Sequence, residues 1–508
     1  MTNQMLLGLD IGTSLIKAVI FDLYGKELGQ GTAKVDVESP HPGWQEQNMD
    51  AVWEGADAAI QGALCESGVE PAEIAAVGTA GQGDGLWMID AAGNPVGPAL
   101  LWNDGRAAEV IAEWEADGSL SALYAVGGTV LWPGAQAALL AWMRCHEPQK
   151  LAQAATIFCC KDWVSYKLTG VRSTDETDGS IPFMGMVARA YDESQMSLLG
   201  LAELRSKLPH AHHSDQVIGH VTREAAVATG LAAGTPVIAG LLDVAASAIG
   251  VGAIDAGQSF TLIGTTALNA IVLDEPNLVP ADIGATVCHG LPQRWMRVLA
   301  AMSGTPNLDW YIAELSRAAE VTTSGEVFVE MEAVMSSVPV GSGGVIFHPY
   351  LSGERAPFLD TSARAGFFGI GAETTQAHLT RAVYEGIALS IRDCFERIGG
   401  GVSQIRLAGG GSNSEAWRQM LADVTNCTME IPAGSELGAL GAAITAGVGI
   451  GLFDSYQSAV NQCVRIEQSY HPNPTNVAKY TEIYQLYRML IEQLTPFWHQ
   501  RQAMLARW

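Results

Sequence analysis

The sequence predicts an α/β protein built from two related domains, and three observations carry that prediction. Residues 7–22 read LGLDIGTSLIKAVIFD: an apolar run, a turn at Gly12-Thr13-Ser14, then a second apolar run, the pattern of paired strands. Residues 262–274 read LIGTTALNAIVLD and align on the first stretch without gaps, placing Gly12 on Gly264, Thr13 on Thr265 and Ser14 on Thr266. A copy half a chain away points to two halves of common design, since solenoid periods are far shorter. Finally, 508 residues with 48% hydrophobic and 16% charged content exceed one core and can supply two. We divide the chain into domains at 1–251 and 252–508.

After the opening hairpin, residues 26–37 continue as a third strand and 41–48 form a loop. A helix over 49–67 is capped by Asn48 and ended by Gly68. Residues 74–79 form a buried strand running into the Gly-spaced turn Gly81-Gln82-Gly83-Asp84-Gly85, followed by a short strand over 86–90. Strands and helices alternate to Pro236, as in a layered α/β domain. A strand over 237–242 then ends at Asp243, and a small-residue helix covers 244–250. Beyond the second hairpin, a Gly/Pro-broken segment starts at Gly341 and a helix spans 375–397. A strand over 405–408 opens into Gly409-Gly410-Gly411-Ser412-Asn413, with helices near Glu415 and over 436–449. The last helix, 475–494, sets Tyr480, Ile483, Tyr487, Leu490 and Leu494 on one docked face and stops before Pro496.

A net charge of −26 argues against nucleic acid and anionic membrane as partners, because both need clustered Lys and Arg. An anionic ligand would have to be met locally by backbone donors, a metal and a few cations. Eight cysteines without a Cys-x-x-Cys spacing, including the neighbours Cys159 and Cys160 in a buried strand, read as reduced cytoplasmic usage. The N-terminus has no basic-then-apolar leader. The most apolar later stretch, 238–256, is interrupted by Asp243, Asp255 and glycines and makes a poor membrane span. His210, His212 and His213 read as an exposed loop. Walker A, dinucleotide, zincin and hydrolase-elbow patterns do not occur.

Several turns carry candidate chemistry. The hydroxyls and N–H groups of Gly12-Thr13-Ser14 suit phosphate oxygens, with Lys17 close behind, and Asp10 suits a magnesium ion. The same turn also serves as an ordinary hairpin. The second copy, Gly264-Thr265-Thr266, has Leu262 in place of Asp10 and Asn269 in place of Lys17, so only the first half would hold metal. Two such turns across a cleft can clamp a triphosphate. Asp243, where a strand feeds a helix, suits either a base toward a substrate hydroxyl or a helix cap. Gln82 and Asp84 pair an amide with a carboxylate, a match for vicinal hydroxyls, with Trp44 and Trp102 as apolar faces and Asp104 and Arg106 nearby. Gly409 to Ser412 lets backbone approach a flat ring or phosphate, or is a tight connection.

Taken together, these stretches resemble the FGGY carbohydrate kinases of the hexokinase/actin-like superfamily, from about residue 5 to 500. The most specific piece is AGFFGIGAETTQAHLTRAVYE over 365–385. LGLDIGTS, LWNDGR, KDW..YKLTG, GLLD, IGTT and LAGGGS occupy the expected order. The resemblance implies two ribonuclease H-like domains around an ATP and sugar cleft, with Asp243 as catalytic base and Asp10 by the magnesium of Mg-ATP. It also implies phosphate turns at 12–14 and 264–266, adenosine at Gly410, Gly411, Ser412 and Asn413, and a pocket of Gln82, Gly83, Asp84, Trp102 and Asp104. A homodimer is usual in the family. Gly83-Asp84 departs from the Met-His of D-xylulose kinases and the Arg-Glu of glycerol kinases, closer to the L-xylulose and erythritol kinase branches. The expectation is an ATP-dependent kinase acting on a primary hydroxyl of a pentulose such as xylulose, or of an erythritol- or glycerol-type polyol. An actin-like ATPase and a non-catalytic sugar-binding protein are the rivals from other classes.

Overall fold

Two seven-stranded sheets of matching topology organise the chain in the computed structural model, which describes residues 4–281, 283–314, 324–399 and 401–508. In the first half, β1 (Met5–Ile11), β2 (Leu15–Phe21) and β3 (Glu27–Lys34) form an antiparallel meander. Helix α1 (Met49–Ser67) follows. Asn48 Oδ1 accepts the Asp50 and Ala51 N–H groups at its start, and Gly68 closes it at φ 64°, both ends as predicted. Strand β4 (Ile74–Gly81) then lies parallel to β1. Strands β5 (Val217–His220) and β6 (Pro236–Ile238) complete the far edge, and the short β7 (Leu241–Leu242) runs parallel to the end of β4. The predicted strand over 237–242 is therefore split, at Ala239-Gly240. Helix α2 (Asp243–Gly250) leaves β7 directly.

The second half repeats the plan. Strands β8 (Ser259–Ile263), β9 (Ala267–Leu273), β10 (Ala285–Cys288) and β11 (Trp295–Ala301) are antiparallel neighbours in the order β10-β11-β9-β8. The long helix α3 (Gln376–Ile398) is followed by β12 (Gln404–Ala408), parallel to β8. Helix α4 (Glu415–Thr425), strand β13 (Thr428–Pro432), helix α5 (Leu437–Gly449) and strand β14 (Ile466–Tyr470) finish the sheet. The gapless alignment of the two hairpins conceals one difference. Ile11 pairs with Ile16 in the first hairpin but Ile263 pairs with Ala267 in the second, so the second turn is one residue tighter.

The halves are joined by helices. Helix α5, from the second half, lies on the sheet of the first. A Cβ on Gly8 would stand 1.9 Å from the Ala439 carbonyl oxygen and one on Gly78 2.0 Å from that of Ala442, so only glycine allows this seat. Helix α2 crosses α5 as closely. Their small residues share one buried cluster with Leu6 and Val19 of the first sheet and Phe260 and Ala270 of the second. The two sheets thus hold a common wall and cannot drift apart without opening a core.

Other expectations need correction. Helix α6 (Pro474–Leu505) runs through Pro496, because Trp498 beyond it is buried against Tyr350 and Phe358 and holds the last turns in place. The predicted docked face is right in its centre, Tyr480 and Tyr487 being fully buried. Residues His210–His212 form a strand parallel to Ser173–Asp175, with His213 paired to Glu176, in place of a loop. Cys159 and Cys160 lie at the junction of the strand Thr156–Phe158 and the helix Cys160–Thr169, not within a strand.

Candidate functional site

Parallel pairing decides where the candidate residues emerge. Asp10 is level with Ala80 and Ile11 with Gly81, while Leu241 and Leu242 are level with Ala80 and Gly81. The Gly12-Thr13-Ser14 turn, the Gln82-Gly83-Asp84 turn and Asp243 therefore leave one sheet at one edge, the carboxyl ends of parallel strands where α/β folds bind ligands. In the second sheet Leu262 is level with Ala408, which brings Gly264-Thr265-Thr266 beside Gly409 to Asn413 in the same way.

The two edges face one cavity of about 350 Å³. Gln82, Gly83, Asp84, Trp102 and Asp243 wall it from the first half, and Thr266, Leu268, Ala300 and Arg355 from the second. Asp243 and Thr266 of the second turn, in opposite halves, thus bound the same space. The Asp243 side chain is open to the cleft, and its Oδ1 accepts the Val244 N–H at 2.6 Å. It is the first residue of α2 and also faces the cavity, so both roles read from the sequence coexist. The surrounding protein raises its pKa to about 7, first by desolvation and then through the charge of Asp10, against the Val244 hydrogen bond. Water in the open cleft works against that rise. Asp84 is buried, held at φ 56° and likewise raised to about 7 by desolvation, with Asp243 adding to it. Asp10 is raised to about 6 by desolvation, opposed by Lys17 and reinforced by Glu436. Three carboxylates therefore gather at one edge of the first sheet, each discouraged from ionising.

The first turn is tied to the Gln82 side of the cavity. Thr13 Oγ1 donates to Gln82 Oε1 at 2.8 Å and accepts the Trp102 indole N–H at 3.1 Å. Gln47 Nε2 donates to the Thr13 carbonyl, and Gln82 Nε2 donates to Gln47 Oε1. The Thr13 hydroxyl is thus committed on both sides, unlike the phosphate-facing hydroxyl expected, leaving Ser14 exposed at the tip. Lys17 is paired with Glu436 at 2.7 Å. In the second turn the Gly264 carbonyl accepts from the N–H and hydroxyl of Thr305, while the Thr265 and Thr266 hydroxyls have no hydrogen-bond partner among the described residues. Gly410–Asn413 form a single 3₁₀ turn in which Ser412 Oγ donates to the Gly409 carbonyl, and Gly411 packs on Ile263.

Two predicted pocket residues lie elsewhere. Asp104 is buried away from the cavity wall, its oxygens taken by the Arg106 guanidinium and the Gln45 N–H, because a fork-shaped cation two residues on outcompetes a distant ligand. Trp44 is covered by Arg106, 3.9 Å from its ring, and the second apolar wall comes instead from Trp132, whose indole N–H donates to the Trp102 carbonyl. The sequence reading also missed the fully buried Lys161, ringed by Asp162, Asp175 and Asp178 at 2.6, 3.0 and 3.0 Å. This cluster lies under the 82–84 turn: a Cβ on Gly83 would meet Leu242 at 2.1 Å and Asp178 at 3.2 Å. Its signal in the sequence was the KDW..YKLTG motif, which begins at Lys161. Arg355 was missed as well.

Comparison with known proteins now decides the family. The N-terminal domain of the FGGY family of carbohydrate kinases matches residues 5–250, and its C-terminal domain matches 260–450. The chain belongs to the FGGY family of carbohydrate kinases. It is 34% identical over 503 residues to the L-xylulose/3-keto-L-gulonate kinase of Escherichia coli K12, covering 97% of this chain and 98% of that one. It is 31% identical to the erythritol kinase of Brucella abortus, covering 98% and 97%. The solved xylulose kinase of Rhodospirillum rubrum superposes with a TM-score of 0.88 at 27% identity, covering 98% of this chain and 100% of that one. As an FGGY kinase the protein is a phosphotransferase acting on a sugar or polyol. Among the described residues, no helix is long and apolar enough to cross a membrane.

Proposed function

We propose that this FGGY kinase moves the γ-phosphoryl group of ATP to a primary hydroxyl of a pentulose such as xylulose, or of a tetritol, with Asp243 accepting the hydroxyl proton. One observation carries the reading: Asp243 and Thr266, from opposite halves, wall the same cavity of about 350 Å³ as Gln82, Asp84 and Trp102. The acceptor lies against Trp102 and Trp132, with Gln82 and Asp84 engaging adjacent hydroxyls. The relatives named for xylulose and erythritol support an acceptor of four or five carbons, while the 3-keto-L-gulonate also in the first one's name is a six-carbon acid. The triphosphate reaches the reacting hydroxyl from the second half, along Gly264, Thr265 and Thr266, with the adenosine over Gly410 to Asn413. Ser14 and the backbone of Gly12 and Thr13 close on the phosphates from the other side.

Asp10 also fits a cation: burial raises its pKa, and its charge reaches Asp243. A magnesium ion carried with ATP would be held by Asp10, where it neutralises phosphate charge. In phosphoryl transfer the protein mainly positions and neutralises, so a carboxylate base is enough toward an alcohol. The cavity's apolar walls limit the water that competes with the sugar as acceptor. We infer a cytoplasmic enzyme, where eight free cysteines stay reduced, and a homodimer, to be read by light scattering.

The test is ADP release measured over a panel of pentuloses, tetritols and glycerol, with wild type and Asp243→Asn. A pentulose or tetritol should give the highest kcat/KM. Asp243→Asn should still bind ATP but turn over slower by about 10²–10⁴-fold, the usual worth of a general base. Near wild-type turnover in that variant removes the base assignment. Best activity on glycerol removes the acceptor assignment.

A further inference from the structure

Among the described residues, the cavity wall has one cation, Arg355. The chain carries a net charge of −26, and the cleft already holds Asp10, Asp84 and Asp243. A triphosphate brought there needs a positive partner. Lys17, the lysine nearest the first turn, is held by Glu436 across the two halves. Arg106 is enclosed by Asp104 and Glu46, and Lys161 by three aspartates. Arg355 differs. Its Nε donates to the Ala300 carbonyl at 2.8 Å, which fixes the plane of the guanidinium, yet among the described residues it has no carboxylate within ion-pair distance. Its two terminal nitrogens make no hydrogen bond among the described residues, and the residue lines the cavity.

The backbone behind Arg355 is wired to the second phosphate turn. Buried Glu354 accepts the N–H groups of Met302 at 2.7 Å and Arg355 at 2.9 Å and the Ser303 hydroxyl at 3.1 Å. Gly304, next along, lies against the Gly264 and Thr265 carbonyls, where a Cβ would come within 2.4 and 2.5 Å. Glu354 thus sets the segment that supports the turn and also the base of the Arg355 side chain. Burial weakens the hold of Arg355 on its proton, with Glu354 opposing, so an anion in the cavity would relieve a charge already partly stripped of water.

We propose that Arg355 is a catalytic residue, a built-in cation that takes the oxygens of the phosphoryl group as it passes from the nucleotide toward the hydroxyl facing Asp243. Glu354 is its positioning residue. The inference rests on the placement of the triphosphate given above. In the step, the bond from the terminal phosphorus to the bridging oxygen of ADP breaks and the bond to the acceptor oxygen forms. The acceptor proton goes to Asp243, and Arg355 holds the equatorial charge without gaining or losing a proton. A guanidinium suits this because its planar fork contacts two oxygens at once.

Arg355→Met and Arg355→Lys test it, with ADP release measured both with the best acceptor and with water alone as acceptor. Loss of the guanidinium should lower kcat by about 10²–10³-fold, in both reactions, with the acceptor KM and ADP affinity within about threefold. Lysine should recover only part of the loss, and millimolar guanidinium should partly rescue Arg355→Ala. Binding of ADP with aluminium fluoride, which mimics the phosphoryl group in flight, should weaken in Arg355→Met while binding of ADP alone persists; that retained ADP binding shows the variant is folded. The proposal is overturned if kcat survives in both reactions, or if only the acceptor KM rises, which would make Arg355 a grip on an acidic sugar. Because the reaction with water needs no sugar, the role of Arg355 is decided even if no sugar in the panel is used.

Discussion

The two Gly-Thr turns come from the same pattern and do opposite things. In the first, the Thr13 hydroxyl is committed to Gln82 and Trp102, and Lys17 is committed to Glu436. In the second, Thr265 and Thr266 keep their hydroxyls free of partners among the described residues, and Arg355 stands in the same cavity wall as Thr266. Carboxylates collect on the first edge, the free cation on the second. A repeated hairpin thus supplies a geometry, and the residues that meet it from elsewhere supply the chemistry. On the function proposed above, the first half would hold and deprotonate the alcohol, and the second would bring the phosphates to it.

The comparison fails first if the halves lose their common wall. A Cβ on Gly441 would stand 1.8 Å from the Ala246 carbonyl oxygen where α5 crosses α2, and backbone cannot yield as a side-chain tip does. Gly441→Val should cost about 3 kcal/mol from overpacking, read as an earlier first transition in calorimetry, and should abolish activity. An unchanged transition would mean that the crossing is not what holds the sheets together.

A matched pair sharpens the contrast. Thr13→Val strands Gln82 Oε1 and the Trp102 N–H, and an unsatisfied buried polar group costs about 1–3 kcal/mol. The loss should appear as an acceptor KM raised about tenfold and a lower melting temperature. Thr266→Val removes no protein hydrogen bond, so the melting temperature should hold while the KM for ATP rises about tenfold, roughly one charge-assisted hydrogen bond. If both variants disturb the same substrate, the division of labour between the turns is wrong.

How much of this could be read beforehand follows from the reach of each signal. The hairpin turns, the ends of α1 at Asn48 and Gly68, and the seat of Asp243 between strand and helix are local, and local rules found them. What escaped depends on partners from far along the chain. Lys17 looked like a phosphate ligand because Glu436, 419 residues on, carries no mark that it will face it. Trp44 and Trp132 are equivalent as residues, and only the path of Arg106 decides which is covered. Arg355 sits in a Gly/Pro-broken stretch without periodicity, so nothing pointed it into a cleft. Pro496 failed as a stop because docking of Trp498 outweighs one missing hydrogen bond.

The smallest expected effect bears on the carboxylate side alone. Asp84 is buried beside Asp243, with one weak hydrogen bond from the Gln136 N–H at 3.3 Å, and its pKa is raised to about 7 from an unfolded value near 3.8. Between those values the folded chain binds a proton that the unfolded chain has released, so stability falls as pH rises through that window and levels off above it. Asparagine at this position cannot titrate, tolerates the left-handed backbone, and is nearly the shape of the protonated acid. Asp84→Asn should therefore melt higher than wild type at pH 8, by about 2–4 °C. The gap should shrink steadily on acidification and close near pH 4. The other carboxylates, shared by both proteins, cancel in the difference. A gap that stays constant from pH 4 to 8 would mean that Asp84 ionises as freely in the folded chain as in the unfolded one, and that the first half does not hold its carboxylates under strain.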